Sequence, residues 1–585
     1  LSLHDALPIC DGCAGSSPAR GTILKTLNLM FRNTILTLSA STLFLFTSCS
    51  KLKSLSADKF TVVPTPLEVK AGQVDATITT LFPEKYMQRN VVLTLVPELR
   101  SSDGLVVKGT SATFQGEKVL GNNPSVSYRL GGRFTIKTAF AYTPEMQKSD
   151  LYVTFNALQG NKKVNLNPVR IGYGVIATSE LYKNILFEDG GCLAPDSFER
   201  VKKEKQEANI KFLVNQANLR KSELQSNSIH DFVRMLKKIN SERESLILNN
   251  IEVKAYASPE GGFSFNDKLA NKRQNTGEGY VKDQLKANKM STAIDAGYTA
   301  QDWEGFQKLV QVSNIQDKDV ILRVLSMYKD PQEREQQIRN MSEGFRELAN
   351  GILPELRRAR LVINYEVIGR SDDEIAEQYK KDPVKLSADE LLYYATLVDG
   401  TKTEEVYQTA ASLYDKDYRA FNNLATLELK KGNETKAKSY LEQALRVNSK
   451  APEALANLGL IDLMHGNLTQ AEVQIANASG TNNTAYATAA LAFARGKYAD
   501  AERDLADSNT NLAALAHLMN NNYAAAAQTL DEVKHKTAYT HYIHAIVAAR
   551  RGNKFSATSH LEEALKLNPS LKTYADKDLE LKIIK

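Results

Sequence analysis

The chain has 585 residues, with 74 lysines and arginines against 68 aspartates and glutamates, which gives a formal net charge of +6. This length predicts about three or four domains. The charge is nearly balanced, and no long basic face interleaved with aromatic residues occurs, so nucleic-acid binding is not expected.

The first 29 residues do not resemble the chain that follows them. They begin with Leu1 rather than methionine and show no hydrophobic periodicity. We interpret residues 1–29 as an assembly or cloning artefact, or as a mistranslated upstream region. This segment contains Cys10 and Cys13, but a lone CxxC in a non-periodic leader is a weak sign of a metal or redox site.

A targeting signal is predicted from Met30 onwards. A basic residue is followed by an apolar stretch from Thr34 to Phe46 and by small residues before Cys49. The stretch is too short for an ordinary membrane span. Residues 30–48 resemble a bacterial lipoprotein signal peptide of the Bacteroidota type, which implies that Cys49 is lipidated. Phe46 departs from the strict lipobox, and an ordinary signal peptide with an incidental cysteine is the alternative.

The residues after Cys49 contain no acidic cluster, which is the surface-export signal of Bacteroidota lipoproteins. The resemblance therefore implies an outer-membrane lipoprotein that faces the periplasm, held at the membrane by its lipid anchor. If Cys49 is acylated, no intrachain disulfide can form. We expect Cys192 to be an isolated structural thiol.

Short β-type runs dominate residues 59–178. Runs rich in β-branched and aromatic residues, such as 133–140 and 150–155, alternate with Gly, Pro and Asn turns. This pattern predicts an N-terminal all-β sandwich of one or two modules. Residues 179–208 are predicted to form a linker, with the charged run 202–205 on a solvated helix surface.

Strands and helices then alternate, which predicts an α/β layer. The runs 210–214 and 246–253 are typical of strands, and residues 228–238 place apolar side chains at i, i+3, i+4 and i+7 of a helix. A second helix follows a Pro/Gly loop, and a strand near 357–367 closes the pattern. Residues 291–350 are predicted to be a helical insertion within this domain.

The loop at 251–262 and the helix after it bring polar side chains together. Asn266 and Arg273 are seven residues apart, close to two helical turns, so both lie on one helix face beneath the loop. Glu260 adds a carboxylate from the loop. A guanidinium, an amide and a carboxylate around one small concavity suit an amphoteric ligand that carries both carboxylate and ammonium groups.

Residues 205–368 resemble the OmpA-like peptidoglycan-binding domain. The resemblance rests on the Tyr256-Ala-Ser-Pro-Glu-Gly261 loop, the helix with Asn266 and Arg273, and the closing strand. It implies binding of the diaminopimelate residue of peptidoglycan stem peptides, with Arg273 at the family's arginine position. The family's aspartate falls on Ser258, so Glu260 would have to supply the carboxylate.

Two structural roles compete with ligand binding at these positions. On a solvated helix surface, Arg273 would simply pair with a neighbouring acid. Asn266 is a good helix N-cap whatever the ligand, because its side-chain oxygen can accept from the free N–H groups of a first turn.

The last third of the chain repeats with a period of 34 residues. The residues Leu424, Gly432, Ala437 and Leu441 recur as Leu458, Gly466, Ala471 and Ile475. Residues 386–571 resemble tetratricopeptide repeats (TPRs), with a degenerate leading repeat at 386–417, which implies an α-helical solenoid. Such repeats bind peptides or proteins on their concave side, towards which Asn422 and Asn457 are expected to point.

The motifs of common catalytic sites are missing from the sequence. It contains no nucleophile elbow, HExxH motif, P-loop or dinucleotide fingerprint, so neither an enzyme activity nor a cofactor is expected. His541 and His544 share one helix face, but no third ligand lies nearby in sequence, so we interpret them as surface or packing histidines rather than a metal site.

Two functions follow from these features. The leading hypothesis is a lipid-anchored outer-membrane protein that binds peptidoglycan through its OmpA-like domain and recruits protein partners through its repeats. The alternative is a scaffold subunit of an envelope assembly whose OmpA-like domain no longer binds peptidoglycan.

Overall fold

The computed structural model describes residues 52–315, 317–340, 346–478 and 480–584. The predicted artefact, the predicted signal peptide and Cys49 lie outside these ranges. Residues 54–585 form one compact unit. Within the described ranges, no helix has both the length and the hydropathy that crossing a membrane requires.

The first region is β-rich, as the sequence predicts. Its strands are β1 Phe60–Val63, β2 Leu67–Lys70, β3 Gln73–Phe82, β4 Val91–Ser101, β5 Val106–Lys108, β6 Ala112–Gly116, β7 Ser125–Val126, β8 Gly132–Ala141, β9 Ser149–Gln159, β10 Lys162–Asn165 and β11 Val169–Ile176. They form an 11-stranded sheet in the order β1-β3-β2-β11-β9-β4-β6-β7. In addition, β8 pairs with β3, β5 with β4 and β10 with β9.

The two arms of this sheet face each other. The parallel pairing of β2 with β11 connects them. Between the arms, the ring of Phe114 on β6 lies 5.1 Å from that of Phe82 on β3 and 5.0 Å from that of Phe134 on β8. The inward side chains of β3 alternate with exposed ones, as in a strand with one buried face. The region is therefore layered like a sandwich, although hydrogen bonds join both layers in one sheet.

The second region has a four-stranded sheet made of β12 Val201–Lys211, β13 Leu246–Tyr256, β14 Ala293–Thr299 and β15 Arg358–Ile368, in the order β12-β15-β13-β14. β14 is parallel to β13, and the other pairings are antiparallel. The helices Asn227–Ser241 and Phe263–Ala287 pack on one face of the sheet, where Phe232 and Val281 share a core with Val253 and Leu361. A short helix, Lys221–Leu224, precedes them.

Two boundaries differ from the sequence prediction. The strand expected at 210–214 begins at Val201, so the charged run 202–205 lies on an exposed edge strand rather than on a helix. The charged side chains of this run remove the apolar alternation by which a strand is recognised in a sequence. They suit an edge strand because they discourage pairing with another chain. In addition, β14 occupies the start of the predicted helical insertion.

The insertion proper is helical and has its own small core. Its helices are Trp303–Val312, Lys318–Met327, Pro331–Arg339, a π-helical turn Leu348–Ile352 and Leu353–Leu356. Phe306, Ile321 and Leu356 are buried together at their contact. The insertion therefore packs as a unit beside the sheet.

The third region consists of paired helices, as the 34-residue period predicts. After Asp372–Lys381 and a turn at Pro383–Lys385, the pairs are Ala388–Leu397 with Thr401–Leu413, Tyr418–Lys430 with Glu434–Val447, Pro452–Met464 with Leu468–Asn477, Ala485–Ala494 with Tyr498–Asp504, Asn511–Met519 with Tyr523–Glu532, and Ala538–Arg550 with Lys554–Leu567. A turn at Asn482–Thr484 precedes the fourth pair, and Leu571–Lys577 and Glu580–Ile583 end the array.

Turn residues with positive φ separate the helices of most pairs. Gly432, Gly466, Gly496 and Gly552 have φ between 70° and 79°, and Asn521 has φ 62°. Glycine adopts this conformation without strain, and asparagine tolerates it better than most residues. The fifth pair therefore keeps the same turn although asparagine stands there in place of glycine.

Candidate functional site

The first part of the predicted linker packs against the repeat array, whereas residues 201–208 belong to the edge strand β12. After the short turns Thr178–Leu181 and Tyr182–Ile185, residues 186–198 run between the β-rich region and β12. We call residues 186–198 the connector segment. Leu186, Phe187 and Cys192 belong to the same buried core as the repeat helices. The segment is therefore a packed part of the third region and not a free tether.

Three asparagines of the array hold the main chain of the connector segment. Cys192 N donates to Asn457 Oδ1 (2.9 Å), and Asn457 Nδ2 and Asn422 Nδ2 both donate to Cys192 O (2.9 Å each). Ala194 N donates to Asn423 Oδ1 (2.8 Å), and Asn423 Nδ2 donates to Ala194 O (3.1 Å). Asn422 and Asn457 thus point at a bound peptide segment, and this segment comes from the same chain.

This contact satisfies polar groups that have lost contact with water. Asn422 and Asn457 are 0% exposed, and Asn457 Nδ2 also donates to Asn422 Oδ1 (2.9 Å). A buried amide or main-chain group without a partner is costly, so the asparagines and the connector segment stabilise each other. The bonds go to the main chain at residues 192 and 194, while the side chain of Leu193 between them is exposed, so the array recognises the backbone of the segment.

An acidic pair near the start of the connector segment contacts the later repeats. Glu188 Oε2 accepts from Thr537 Oγ1 (2.7 Å) and Asn511 Nδ2 (3.2 Å), and Asp189 Oδ2 accepts from the Tyr486 hydroxyl (3.2 Å). Burial raises the pKa of Glu188 to about 7, with the neighbouring Asp189 adding to the shift. Burial likewise raises the pKa of Asp189 to about 6. Burial therefore makes both carboxyl groups harder to ionise than they are in water.

The residues after the acidic pair fit closely. Gly191 has φ +65°, and a Cβ added there would lie 2.9 Å from Asn457 Oδ1. Cys192 is a buried free thiol, and burial raises its pKa to about 12. The thiol is therefore protonated and unreactive, in agreement with the structural role expected for it.

The end of the connector segment is also fixed. Arg419 Nη1 donates to the carbonyls of Pro195 (3.3 Å) and Asp196 (2.8 Å), while its Nη2 is paired with Asp389 (2.8 Å) and Asp417 (2.6 Å). Next to these contacts, the Phe198 ring stacks on Tyr393 at 4.5 Å. The array thus contacts the segment along its whole length.

The C-terminal end of the array contacts the β-rich region. Glu580 accepts from Thr178 Oγ1 (2.6 Å) and from Arg550 Nε (3.0 Å). The Tyr574 hydroxyl donates to Ala177 O (3.3 Å). The side chains of Arg550 and Glu580 are 17% and 5% exposed, so this ion pair is largely shielded from solvent.

The structure brings the four predicted ligand-binding residues together, but Arg273 lies inside the domain. Arg273 is 1% exposed and donates to the carbonyls of Tyr256 (2.9 Å), Gln216 (3.0 Å) and Leu213 (3.2 Å). Burial lowers its pKa to about 10, with Arg357 nearby adding to the shift. Arg273 is therefore neither on a solvated surface nor paired with an acid, which corrects the structural alternative from the sequence.

Asn266 fixes the loop from within the helix. The N-cap of this helix is Gly262, so the capping role expected for Asn266 is wrong. Asn266 Nδ2 instead donates to Ser258 O (3.1 Å) and Gly261 O (3.2 Å). These bonds hold the loop in its bent conformation.

Glu260 already has a cationic partner. Its Oε1 accepts from Arg357 Nε (2.8 Å) and Nη2 (2.7 Å), and from Ser258 Oγ (2.8 Å). Sequence reasoning missed Arg357, although it lies in the Arg-Arg pair that begins the closing strand. The Glu260 carboxylate, which was predicted to bind the ammonium group of a ligand, thus already forms a salt bridge within the chain.

The helical insertion closes over this loop. Gly261 N donates to Glu335 Oε1 (2.7 Å), and Gln301 Nε2 donates to Gly261 O (3.0 Å). The cleft between the loop and the insertion, lined in part by Trp303 and Phe306, has a volume of about 10 Å³. A single water molecule needs about that much space, so a stem peptide would have to displace the insertion.

Across the ranges that the structure describes, no group of three or more His, Cys, Asp or Glu side chains is arranged to hold a metal ion.

No protein-family model matches the chain, and no curated protein matches it either. Among solved structures, a tetratricopeptide repeat protein from Parabacteroides merdae is 18% identical, with 36% of this chain and 90% of that chain covered and a TM-score of 0.25. The pilF protein of Pseudomonas aeruginosa is 17% identical, with coverages of 36% and 97% and a TM-score of 0.24. Yeast Tom70 is 11% identical, with coverages of 62% and 82% and a TM-score of 0.23. Likeness at this level carries no argument about function.

Proposed function

We propose that this protein is a non-catalytic scaffold of the bacterial cell envelope, in which the TPR-like array holds the β-rich region and the α/β domain together. The observation that carries the proposal is the connector segment, whose main chain is held by Asn422, Asn423 and Asn457. The groove in which a repeat array would bind a partner's peptide is filled by the chain itself.

We further propose that the OmpA-like domain serves as a protein interface and has lost peptidoglycan binding. The support is that Arg273 already donates to main-chain carbonyls and that Glu260 already forms an ion pair with Arg357. A diaminopimelate group would have to break these contacts and displace the insertion, and both steps cost free energy because they leave buried charge unpaired.

Anchoring at the periplasmic face of the outer membrane is the third part of the proposal. It is supported by the signal-like sequence of residues 30–48 and by Cys49. Membrane fractionation of cells that express the wild type or Cys49→Ser tests it. We expect the wild type with the outer membrane and the variant in the soluble periplasmic fraction, and equal distribution of both proteins would contradict lipid anchoring.

Peptidoglycan binding is the second candidate, favoured by the convergence of Ser258, Glu260, Asn266 and Arg273 around one loop. Sedimentation with purified sacculi of the diaminopimelate type separates the two functions. The scaffold proposal predicts that the protein stays in the supernatant. Sedimentation of the wild type and of the control Glu244→Gln, but not of Glu260→Gln, would establish wall binding and overturn the proposed loss.

Cross-linking in cells tests the scaffold itself. After cross-linking, the wall is digested with a muramidase and the complex is purified through a tag on the protein. The proposal predicts a reproducible set of envelope proteins that remains attached without peptidoglycan. Recovery of the protein alone, or with wall fragments only, would overturn it.

A further inference from the structure

Three histidines contact each other on the sixth helix pair. His541 and His544 lie on the helix Ala538–Arg550, and His560 lies on its partner Lys554–Leu567. The His541 and His560 Nδ1 atoms are 3.3 Å apart, and the His544 ring stacks on the His560 ring at 3.8 Å and 11°. The sequence showed only the first two, because His560 comes from the neighbouring helix.

The distance between the two Nδ1 atoms matches that between two ligands of one metal ion. Zinc binds imidazole nitrogen at about 2.0–2.1 Å in a tetrahedron, which places two ligand nitrogens roughly 3.3–3.4 Å apart. We propose that His541 Nδ1 and His560 Nδ1 together bind one tetrahedral transition-metal ion of the zinc class, which bridges the two helices.

The imidazoles are suited to this role in their neutral form. A metal binds the nitrogen lone pair, which a proton would occupy. The two Nδ1 atoms lie at hydrogen-bond distance, so at least one of them presents a lone pair rather than a proton to the other. Because both residues are half-buried rather than sealed, an ion can reach them from solvent.

His544 packs against His560 but is not a ligand of the proposed site. Its Nε2 lies 3.3 Å from Asp531 Oδ1, which orients the ring, while its buried Nδ1 has no hydrogen-bond partner. Two protein ligands leave two positions of the tetrahedron open to water. This arrangement resembles an open, exchangeable site rather than a closed structural one with four protein ligands.

An ion at this place would stiffen the part of the array that holds the acidic pair. Thr537, the N-cap of the helix with His541, donates to Glu188. Fixing this helix against Lys554–Leu567 therefore also fixes one wall of the groove around the connector segment. The site provides a link between metal supply and the stability of the array.

Titration calorimetry with zinc chloride tests the site on the mature chain carrying Cys49→Ser, so that no unacylated thiol competes. We expect one zinc ion per chain, and at least tenfold weaker binding in His560→Asn and in His541→Asn. The matched control is His465→Asn, because His465 pairs with Glu434 on a distant repeat. Zinc should raise the melting temperature of the parent and of the control, but not of the two site variants.

Cobalt provides a readout that does not depend on the variants folding. Binding of cobalt(II) to the parent chain should produce the intense visible absorption of a tetrahedral ion, and zinc should abolish it. No zinc binding by the parent, or unchanged binding by folded His541→Asn and His560→Asn, would overturn the proposal and leave only a hydrogen bond between the rings. An octahedral cobalt spectrum would also overturn it.

Discussion

The carboxamide of Asn457 forms two hydrogen bonds of 2.9 Å with the main chain of Cys192, which lies 265 residues earlier in the chain. The two bonds use both the oxygen and the nitrogen of the side chain, so no other residue type of this size can replace it. This contact fixes the connector segment in the groove of the array and thereby connects all three regions of the protein.

Removal of the asparagine contacts should loosen the connector segment. Asn457→Ala leaves the N–H and C=O of Cys192 with fewer partners in a dry site, and we expect a loss of about 1–3 kcal/mol for each buried group left unsatisfied. Urea unfolding measures the loss, and limited proteolysis should show new cleavage within residues 186–198. The exposed Asn482→Ala is the control, and equal protease resistance of both variants would contradict the role of Asn457.

The fit at Gly191 separates steric contact from backbone strain. Gly191→Ala places a methyl group 2.9 Å from Asn457 Oδ1 at φ +65°, whereas Gly160→Ala has φ +56° and nothing within 4 Å. Both variants carry a strain of about 1 kcal/mol from the left-handed backbone. We expect the Gly191 variant to lose clearly more stability in thermal unfolding. Equal melting temperatures of the two variants would mean that the groove can move to accommodate the added methyl group at residue 191.

The acidic pair should make stability fall as the pH rises. Glu188 and Asp189 bind protons more tightly in the folded chain than at their ordinary pKa values of 4.5 and 3.8. Their contribution is therefore present below about pH 4 and is lost as the pH rises through 6 and 7. Since one pKa unit corresponds to about 1.4 kcal/mol, the loss is on the order of a few kcal/mol.

Replacement of the glutamate removes part of this dependence. Glu188→Gln keeps an oxygen that can accept from Thr537 but does not titrate. Melting curves between pH 5 and 8 should show a shallower decline for the variant than for the wild type, with the variant the more stable protein at pH 8. The control Glu244→Gln should follow the wild type, and a steeper decline for Glu188→Gln would contradict the assigned pKa direction.

Arg273 is expected to be required for folding. Arg273→Met leaves the carbonyls of Gln216, Tyr256 and Leu213 without this donor, which predicts a cost of about 3 kcal/mol or more for three buried acceptors. Arg234→Met on the exposed face of a neighbouring helix is the matched control. Chemical denaturation followed by circular dichroism measures the difference in stability. A folded Arg273→Met variant of normal stability would show that folding does not require the guanidinium.

The contact between the array and the β-rich region depends on Glu580. Glu580→Ala leaves Arg550 buried without its counter-ion, for which we expect a loss of about 3–5 kcal/mol. Lys577→Ala breaks an exposed pair with Asp103 and should cost less than about 1 kcal/mol. Thermal unfolding of both variants measures the two losses. Similar losses would show that the Arg550–Glu580 pair does not dominate the contact between the array and the β-rich region.

Local patterns in the sequence were enough to predict the elements of the fold. Apolar spacing predicted the helix near 228–238, and the 34-residue period predicted the paired helices of the repeat array. The seven-residue spacing of Asn266 and Arg273 also predicted correctly that both lie on one helix. These predictions succeed because helix geometry converts sequence distance into spatial proximity over a few turns.

The roles of the polar residues were decided only by contacts distant in sequence. Spacing cannot show that Arg357 neutralises Glu260 or that His560 meets His541, since these partners come from other strands and helices. Likewise, the period predicted a concave groove but not its occupant. Hydrogen bonds from Asn422 and Asn457 to Cys192 turn an expected partner-binding surface into an internal contact, because a buried main chain must find its hydrogen-bond partners wherever the fold provides them.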